Sequence, residues 1–193
     1  MKLLADGALA EPLPPPPEDG VTGMCYLFCA AAGAKHSWHT FFYHKYNGFG
    51  SSFHDKRGEQ VKVQVVPVQD YIPLDAKVAF VKSDTQGHEV QVLMGMQSLF
   101  RTGRVRMLGV EFWPKGLFLA GSSPEKLLRL LGRYQMACFS HGEMPELHAQ
   151  EGYGAVKEMQ GLYEASVTRN RWGWFNDLVC MRPVNSMLRW NTP

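Results

Sequence analysis

The sequence predicts an α/β fold built on an open, mostly parallel sheet. Apolar strand patterns alternate with amphipathic helix patterns between residues 77 and 140. The helical stretches are long enough to carry crossovers between parallel strands, as in a βαβαβ unit. Ligands of such sheets bind beyond the carboxyl ends of the strands, so we expect the chemistry of this chain at that edge.

The first part of the chain predicts three strands. The run MCYLFCAA, residues 24–31, is continuously apolar, as in a strand buried on both faces. SWHTFFYHK, residues 37–45, is rich in aromatic and β-forming residues. Residues 59–68 alternate valine with polar residues, which predicts a half-exposed strand. Pro73 disfavours a helix in the connection that follows.

A strand and a helix follow in the central unit. KVAFVKSD, residues 77–84, predicts a short buried strand, and residues 86–103 predict one helix that ends at Gly103 with Arg101 in its last turn. The apolar stripe of this helix faces the sheet and comprises Val90, Leu93, Met94, Met96 and Phe100.

The rest of the chain predicts two more strand–helix steps. Residues 104–113 form a buried strand, and residues 121–134 form a helix capped by Ser122 or Ser123, with Pro124 in its first turn. Short strands are predicted at 136–140 and at 174–183, and they are separated by an irregular stretch with a helix near 155–165.

Composition and charge restrict the class of protein. The 193 residues suit one domain, and Lys+Arg 20 against Asp+Glu 18 leaves a net charge of +2, which predicts no nucleic-acid partner. The four cysteines, Cys25, Cys29, Cys138 and Cys180, lie among apolar neighbours. We interpret them as buried thiols rather than disulfides or metal ligands, as in a reducing compartment.

Residues 1–23 predict a disordered, proline-rich leader, with four successive prolines and no apolar core of a signal peptide. The domain is then expected over residues 24–185, with a C-terminal tail over 186–193. The most apolar run spans about eleven residues, whereas a membrane helix needs about 20. The sequence therefore predicts a soluble chain with no membrane segment, cytoplasmic by default.

Polar side chains crowd the junction DTQGHE between a strand and the next helix. Asp84 ends the strand there, and Gln86, His88 and Glu89 follow it. Glu111 ends the next strand, so it is expected near Asp84 at the same sheet edge. Two interpretations of Asp84 stay open: a residue of an active site, or a cap for the helix that starts near Gln86.

These residues resemble the FkbM-type methyltransferases, a branch of the S-adenosylmethionine-dependent enzymes with a Rossmann-like sheet. KSDTQGHEVQVLMG resembles the family's signature after a central strand, and VEFWPKGLFLAG resembles its strand-end acid and the loop of one subgroup. NGFGSSF with VQDYI resembles an earlier segment, and WFNDLVCMRP resembles a closing antiparallel strand. The resemblance extends over roughly residues 30–183, in consistent order and spacing.

The resemblance implies a class I methyltransferase sheet, mostly parallel with a closing antiparallel strand. The family's D-x-G-A-N-x-G cofactor loop is not found in residues 1–50, so the resemblance begins at about the third strand and the sheet is expected to be incomplete at its N-terminal side. Two functions from different classes follow. One is methyl transfer from S-adenosylmethionine to an oxygen of a sugar or small molecule; the other is a non-catalytic, truncated or degenerate protein of the same fold, without cofactor binding.

The resemblance implies a functional role for each candidate residue, and some of these residues also have a purely structural interpretation. Asp84 and Glu111 are the predicted catalytic acids, although Glu111 is equally well explained as a strand-end acid paired with Lys82 or Lys115. The predicted cofactor-binding residues are Asp84 and Gln86, the predicted substrate-binding residues are Ser51, Ser52 and Trp113, and the predicted supporting residues are Lys82, Gly87 and Glu89. His88 is interpreted as a surface residue, and a metal-dependent transferase that uses Asp84, His88 and Glu89 is the weakest alternative.

Overall fold

The computed structural model describes residues 27–43, 59–140 and 176–182, which form a mixed α/β structure with two small sheets. The described strands are β1 (Ala31–Ala32), β2 (Ser37–Tyr43), β3 (Glu59–Val66), β4 (Val78–Ser83), β5 (Val105–Phe112), β6 (Ala137–Ser140) and β7 (Asn176–Met181). The described α-helices are α1 (Glu89–Met94), α2 (Gln97–Arg101), α3 (Pro114–Leu119) and α4 (Pro124–Arg133).

The first three strands form a sheet in the order β1-β3-β2, with β1 parallel and β2 antiparallel to β3. β2 and β3 confirm the predicted strands. The exposure of β3 falls along the strand, from an exposed start to the buried Val65 and Val66, instead of alternating between its faces. The buried strand expected at 24–31 is wrong over its described part, because only Ala31 and Ala32 pair with β3 and Leu27 is 54% exposed.

The other four strands form a sheet in the order β4-β5-β7-β6. β4 and β5 are parallel, and β7 is antiparallel to both β5 and β6. The α/β class is therefore confirmed, and among the described strands two pairs are parallel and three are antiparallel. β4 lies at the edge of this sheet with Phe80 54% exposed, so the expectation of a buried strand there is wrong.

The single helix predicted over 86–103 is two short helices, α1 and α2, with a break at Gly95. A side chain on Gly95 would overlap the carbonyl oxygen of Gly33, next to β1. The Gly95 carbonyl also accepts a hydrogen bond of 3.1 Å from the Gln69 backbone N–H, and the Gln69 side-chain oxygen accepts from the Ser98 N–H at 2.9 Å. The helix is therefore interrupted where it contacts the three-stranded sheet and its connection.

The two later helix boundaries are close to the prediction. Ser123 is the N-cap of α4 and accepts a hydrogen bond of 3.2 Å from the Lys126 N–H, with Pro124 in the first turn. Gly103 ends α2 with φ +70°, which a side chain at that position would disfavour. α3 was not predicted, because a six-residue helix that contains a glycine gives too weak a pattern.

The core lies between the four-stranded sheet and the helices. Of the stripe predicted for the helix, Met94 is 42% exposed, and the other four residues are buried. Arg182 is buried at the far end of this core and donates to the carbonyl oxygens of Phe100 and Tyr134, the latter at 3.2 Å. Burial lowers the pKa of this guanidinium, and the carbonyls at the ends of α2 and α4 offset the cost of its charge. The largest fully buried apolar side chains include Leu93, Leu99, Phe100, Leu108, Phe112, Leu117, Leu127, Leu131 and Leu178.

The prediction of buried thiols is wrong for the described cysteines. Cys138 and Cys180 form a disulfide across β6 and β7, where they are direct partners in the register. Cys29 is a free cysteine but is exposed. The sequence alone could not pair Cys138 with Cys180, because their contact depends on how two distant strands meet.

Several predicted features lie outside the described residues. These are Ser51 and Ser52, Cys25, the leader, the irregular stretch with its helix near 155–165, and the C-terminal tail. Within the described ranges, no helix has the length and apolar character needed to cross a bilayer.

Candidate active site at the strand ends

The candidate site is built where the parallel strands β4 and β5 end side by side. Asp84 follows the last residue of β4, and Glu111 is the penultimate residue of β5. Because the two strands are parallel, their carboxyl ends lie at one edge of the sheet, as expected from the sequence. Asp84 has a half-exposed side chain, whereas Glu111 is partly buried.

Gln86 joins the two predicted catalytic acids. Its side-chain Nε2 donates to Asp84 Oδ1 at 3.0 Å and approaches both oxygens of Glu111, at 3.2 and 3.4 Å. One amide group therefore holds both carboxyl groups at the sheet edge. The sequence could not separate this role from that of an exposed first-turn glutamine.

The loop that carries Gln86 has an unusual backbone. Gln86 has φ +53° and Gly87 has φ +100°, so both lie in the left-handed region. This conformation is costly for glutamine, by roughly 1–2 kcal/mol, and such outliers cluster at functional sites. The strained backbone at Gln86 thus coincides with the side chain that contacts both carboxyl groups.

Glu89, in the first turn of α1, stabilises this loop through hydrogen bonds. Its Oε1 accepts hydrogen bonds from the Thr85 N–H at 2.9 Å, the Thr85 hydroxyl at 3.0 Å and the Gly87 N–H at 3.2 Å. Glu89 is fully buried, and burial raises its pKa although these hydrogen bonds act against that rise. Glu89 therefore holds the backbone of the loop, while its supporting role in a methyl-transfer site stays a prediction.

The interpretation of Asp84 as a helix cap does not match the geometry. α1 begins at Glu89, three residues after Gln86, and its N-cap position is His88 without a side-chain cap hydrogen bond. Asp84 accepts from the Gln86 side chain instead. The positive φ values of Gln86 and Gly87 belong to a loop that separates Asp84 from the start of α1. The Asp84 carboxylate therefore remains available at the edge of the sheet.

Gly87 and Gly116 bring the loop against α3. A side chain at Gly87 would overlap the backbone of Gly116, and one at Gly116 would overlap the Trp113 ring. Trp113 is the residue between β5 and α3, so its ring packs on the first turns of α3 next to this contact. Trp113 therefore packs beside the contact between the loop and α3, and its substrate-binding role stays a prediction.

Glu111 has the properties of a proton acceptor at neutral pH. Burial raises its pKa to about 7, with a further contribution from the negative charges of Asp84, Glu89 and Asp177, while the Gln86 hydrogen bond acts in the opposite direction. A general base is most effective when its pKa is close to the working pH. Glu111 meets this condition, and its hydrogen-bond partner is Gln86, where the sequence suggested a lysine.

Lys82 and Asp177 complete the charged cluster. Lys82 donates to Asp177 Oδ1 at 2.9 Å and stands 4.0 Å from Asp84 Oδ2. The hydrogen bond to Asp177 raises the Lys82 pKa, and burial opposes it. The ion-pair partner of Lys82 is thus Asp177, whereas the sequence suggested Glu111. Asp177 was missed because its place opposite Glu111 depends on how β7 pairs with β5.

A cavity of about 270 Å³ lies between the three-stranded sheet and the start of α1. Its polar lining includes Lys35, Ser37, His39, His88 and Gln91. Because His88 belongs to the Asp84–Glu89 loop, the cavity borders that loop. His88, interpreted from the sequence as a surface residue, is thus half-buried at this cavity. Throughout the three described ranges, no group of three His, Cys, Asp or Glu residues could hold a metal ion.

The fold and the site define an α/β domain with a pair of carboxyl groups at the ends of parallel strands. Residues 9–153 match the family model of the methyltransferase FkbM domain, and this match covers more than half of the chain. The chain therefore belongs to the methyltransferase FkbM domain family. No curated protein and no solved structure matches it.

Proposed function

We propose that this chain is an S-adenosylmethionine-dependent methyltransferase that acts on a hydroxyl group of a sugar or another small molecule. Family membership supports methyl transfer in general. The observation that carries the proposal is the bridge from one Gln86 amide to both Asp84 and Glu111. The sheet order β4-β5-β7-β6 with its antiparallel β7 supports a Rossmann-like sheet, and we assign the domain to residues 24–185.

The residues of the site fit the cofactor by charge and by hydrogen-bonding capacity. S-adenosylmethionine would supply an electrophilic methyl group on a sulfonium cation, and Asp84 and Gln86 offer a carboxylate and an amide to a cationic ligand that carries hydroxyl groups. The cavity beside His88 provides further concave surface with the polar side chains of Lys35 and Gln91. We therefore assign cofactor binding to Asp84 and Gln86, with the cavity as an extension of that site.

Glu111 is the proton acceptor in this proposal. Its carboxylate takes the proton of the acceptor hydroxyl, so that the oxygen becomes a better nucleophile for the methyl carbon. Gln86 holds the Glu111 carboxyl group in place through its side-chain amide. Ser51 and Ser52 remain predicted contacts of the acceptor. Most of the rate enhancement would come from alignment of the hydroxyl with the methyl group.

A methyl-transfer assay with radiolabelled S-adenosylmethionine and a panel of sugars and small hydroxyl compounds tests this function. Glu111→Gln keeps the shape and the Gln86 contact but cannot accept the proton, so we expect kcat to fall about 100-fold or more. Asp84→Asn should also reduce turnover while the fold is retained. Glu125→Gln, a change at a half-exposed side chain on α4, is the matched control and should keep full activity. Full activity in Glu111→Gln would refute its role as the base.

The alternative function is a non-catalytic protein that keeps part of the methyltransferase fold. The observation that favours it is the position of β4 at a sheet edge among the described strands, with Phe80 more than half exposed. A chain that transfers no methyl group and shows no affinity for the cofactor would support this alternative.

A further inference from the structure

Lys82 on β4 forms an ion pair with Asp177, which lies on a strand that is not adjacent to β4. In the four-stranded sheet, β5 lies between β4, which carries Lys82, and β7, which carries Asp177. The residue of β5 that pairs with Lys82 is Gly109. A Cβ atom at Gly109 would lie 3.4 Å from Lys82 Cδ and 3.1 Å from the Phe80 ring. The lysine side chain therefore crosses β5 at the one position of that strand that has no side chain.

The register places Asp177 directly opposite Glu111. The two residues are partners in the antiparallel pair of β5 and β7, so their side chains are on the same face of the sheet. Two carboxylates in directly opposite positions repel each other. Lys82 lies on this face, with Asp177 at 2.9 Å and Asp84 at 4.0 Å, and its positive charge compensates part of the repulsion.

We propose that Lys82 and Asp177 form a positioning pair for Glu111, in which Asp177 holds the lysine ammonium across Gly109. This inference rests on the proposed function, which makes Glu111 the base. Neither member of the pair needs to contact the acceptor. Their role is to set the charge around a base whose other charged or hydrogen-bonding neighbours are Asp84, Glu89 and Gln86.

The two members of the pair have opposite effects on Glu111. Asp177→Asn removes a negative charge and releases Lys82, so the ionised form of Glu111 becomes more favourable. Lys82→Met removes the positive charge and leaves Asp84 and Asp177 uncompensated, so the protonated form becomes more favourable. A pair too distant from Glu111 to act on its charge would produce no such opposite response.

The test is a carboxyl ¹³C NMR titration of Glu111 in the full chain, with the Glu111 signal identified by its loss in Glu111→Gln. Asp177→Asn should lower the titration midpoint by about 0.5–1 pH unit, and Lys82→Met should raise it by a similar amount. Lys82→Arg keeps the charge and should restore the wild-type midpoint. Arg129→Met, which breaks an exposed ion pair on α4, is the matched control and should leave the midpoint unchanged.

Midpoints that do not move, or that move in the same direction in both variants, would overturn the positioning role. Both side chains are about half exposed, at 45% and 51%, so the variants are expected to fold. The titration needs neither cofactor nor acceptor. Its failure is therefore distinguishable from a failure of the proposed function, which the methyl-transfer assay reports separately.

Discussion

Glu111 is the residue whose titration has the clearest consequence for stability. Its pKa of about 7 in the folded chain lies above the ordinary value of 4.5. The folded state therefore binds the proton more tightly than the unfolded state. This contribution to the free energy of unfolding is fully present below pH 4.5 and is lost as the pH rises through 7.

Glu111→Gln should remove this pH dependence. Between pH 4.5 and pH 8, we expect the free energy of unfolding of the variant to rise by about 1–2 kcal/mol relative to the wild type, which is below the full value of the shift because Glu111 is only half-buried. Urea unfolding at a series of pH values measures this difference. At pH 4 the two chains should be similar, which is the internal control. A constant difference from pH 4 to pH 8 would contradict the raised pKa of Glu111.

At the scale of the elements, the site depends on the close contact between the Asp84–Glu89 loop and α3. Gly87 makes this contact possible in two ways. Its φ of +100° is strained for a residue with a side chain, and it leaves room for the Gly116 backbone. Glu89 provides the loop with its three hydrogen bonds, so a shift of Gly87 also moves the groups that Glu89 holds.

Gly87→Ala should destabilise the chain by about 2–4 kcal/mol, because the new methyl group adds both backbone strain and overlap with Gly116. Thermal unfolding followed by circular dichroism measures the effect. The control is Gly132→Ala in α4, where no atom lies within 4 Å of the added Cβ. That change should stabilise the chain by about 0.5–1 kcal/mol through helix propensity. Equal effects of the two substitutions would show that the contact between the loop and α3 does not contribute to the free energy of unfolding.

The sequence predicted the position of the two strand-end acids better than it predicted the boundaries and pairing of the elements around them. Asp84 and Glu111 could be placed together because parallel strands end at one edge, a rule that needs only the order of the elements. The split between α1 and α2 could not be predicted, since Gly95 is compatible with a helix until Gly33 approaches it. Asp177 was missed for a similar reason, because its position opposite Glu111 depends on a strand pairing far from it in the chain.

At the scale of the whole molecule, contacts between distant segments join the two sheets and the helices. Arg182, from β7's end, donates to the carbonyls that end α2 and α4. The Cys138–Cys180 disulfide connects β6 to β7, and Gly95 packs against Gly33 beside β1. These contacts hold the three-stranded sheet, the four-stranded sheet and the helices together around the strand-end site.

The most direct test of methyltransferase function is isothermal titration calorimetry of the full chain with S-adenosylmethionine. We predict saturable binding that is weakened by Asp84→Asn, because Asp84 is the proposed carboxylate partner of the cationic ligand, and that is unchanged by Arg129→Met on α4. The absence of detectable heat at millimolar cofactor would contradict the claim that this chain, by itself, is an active methyltransferase.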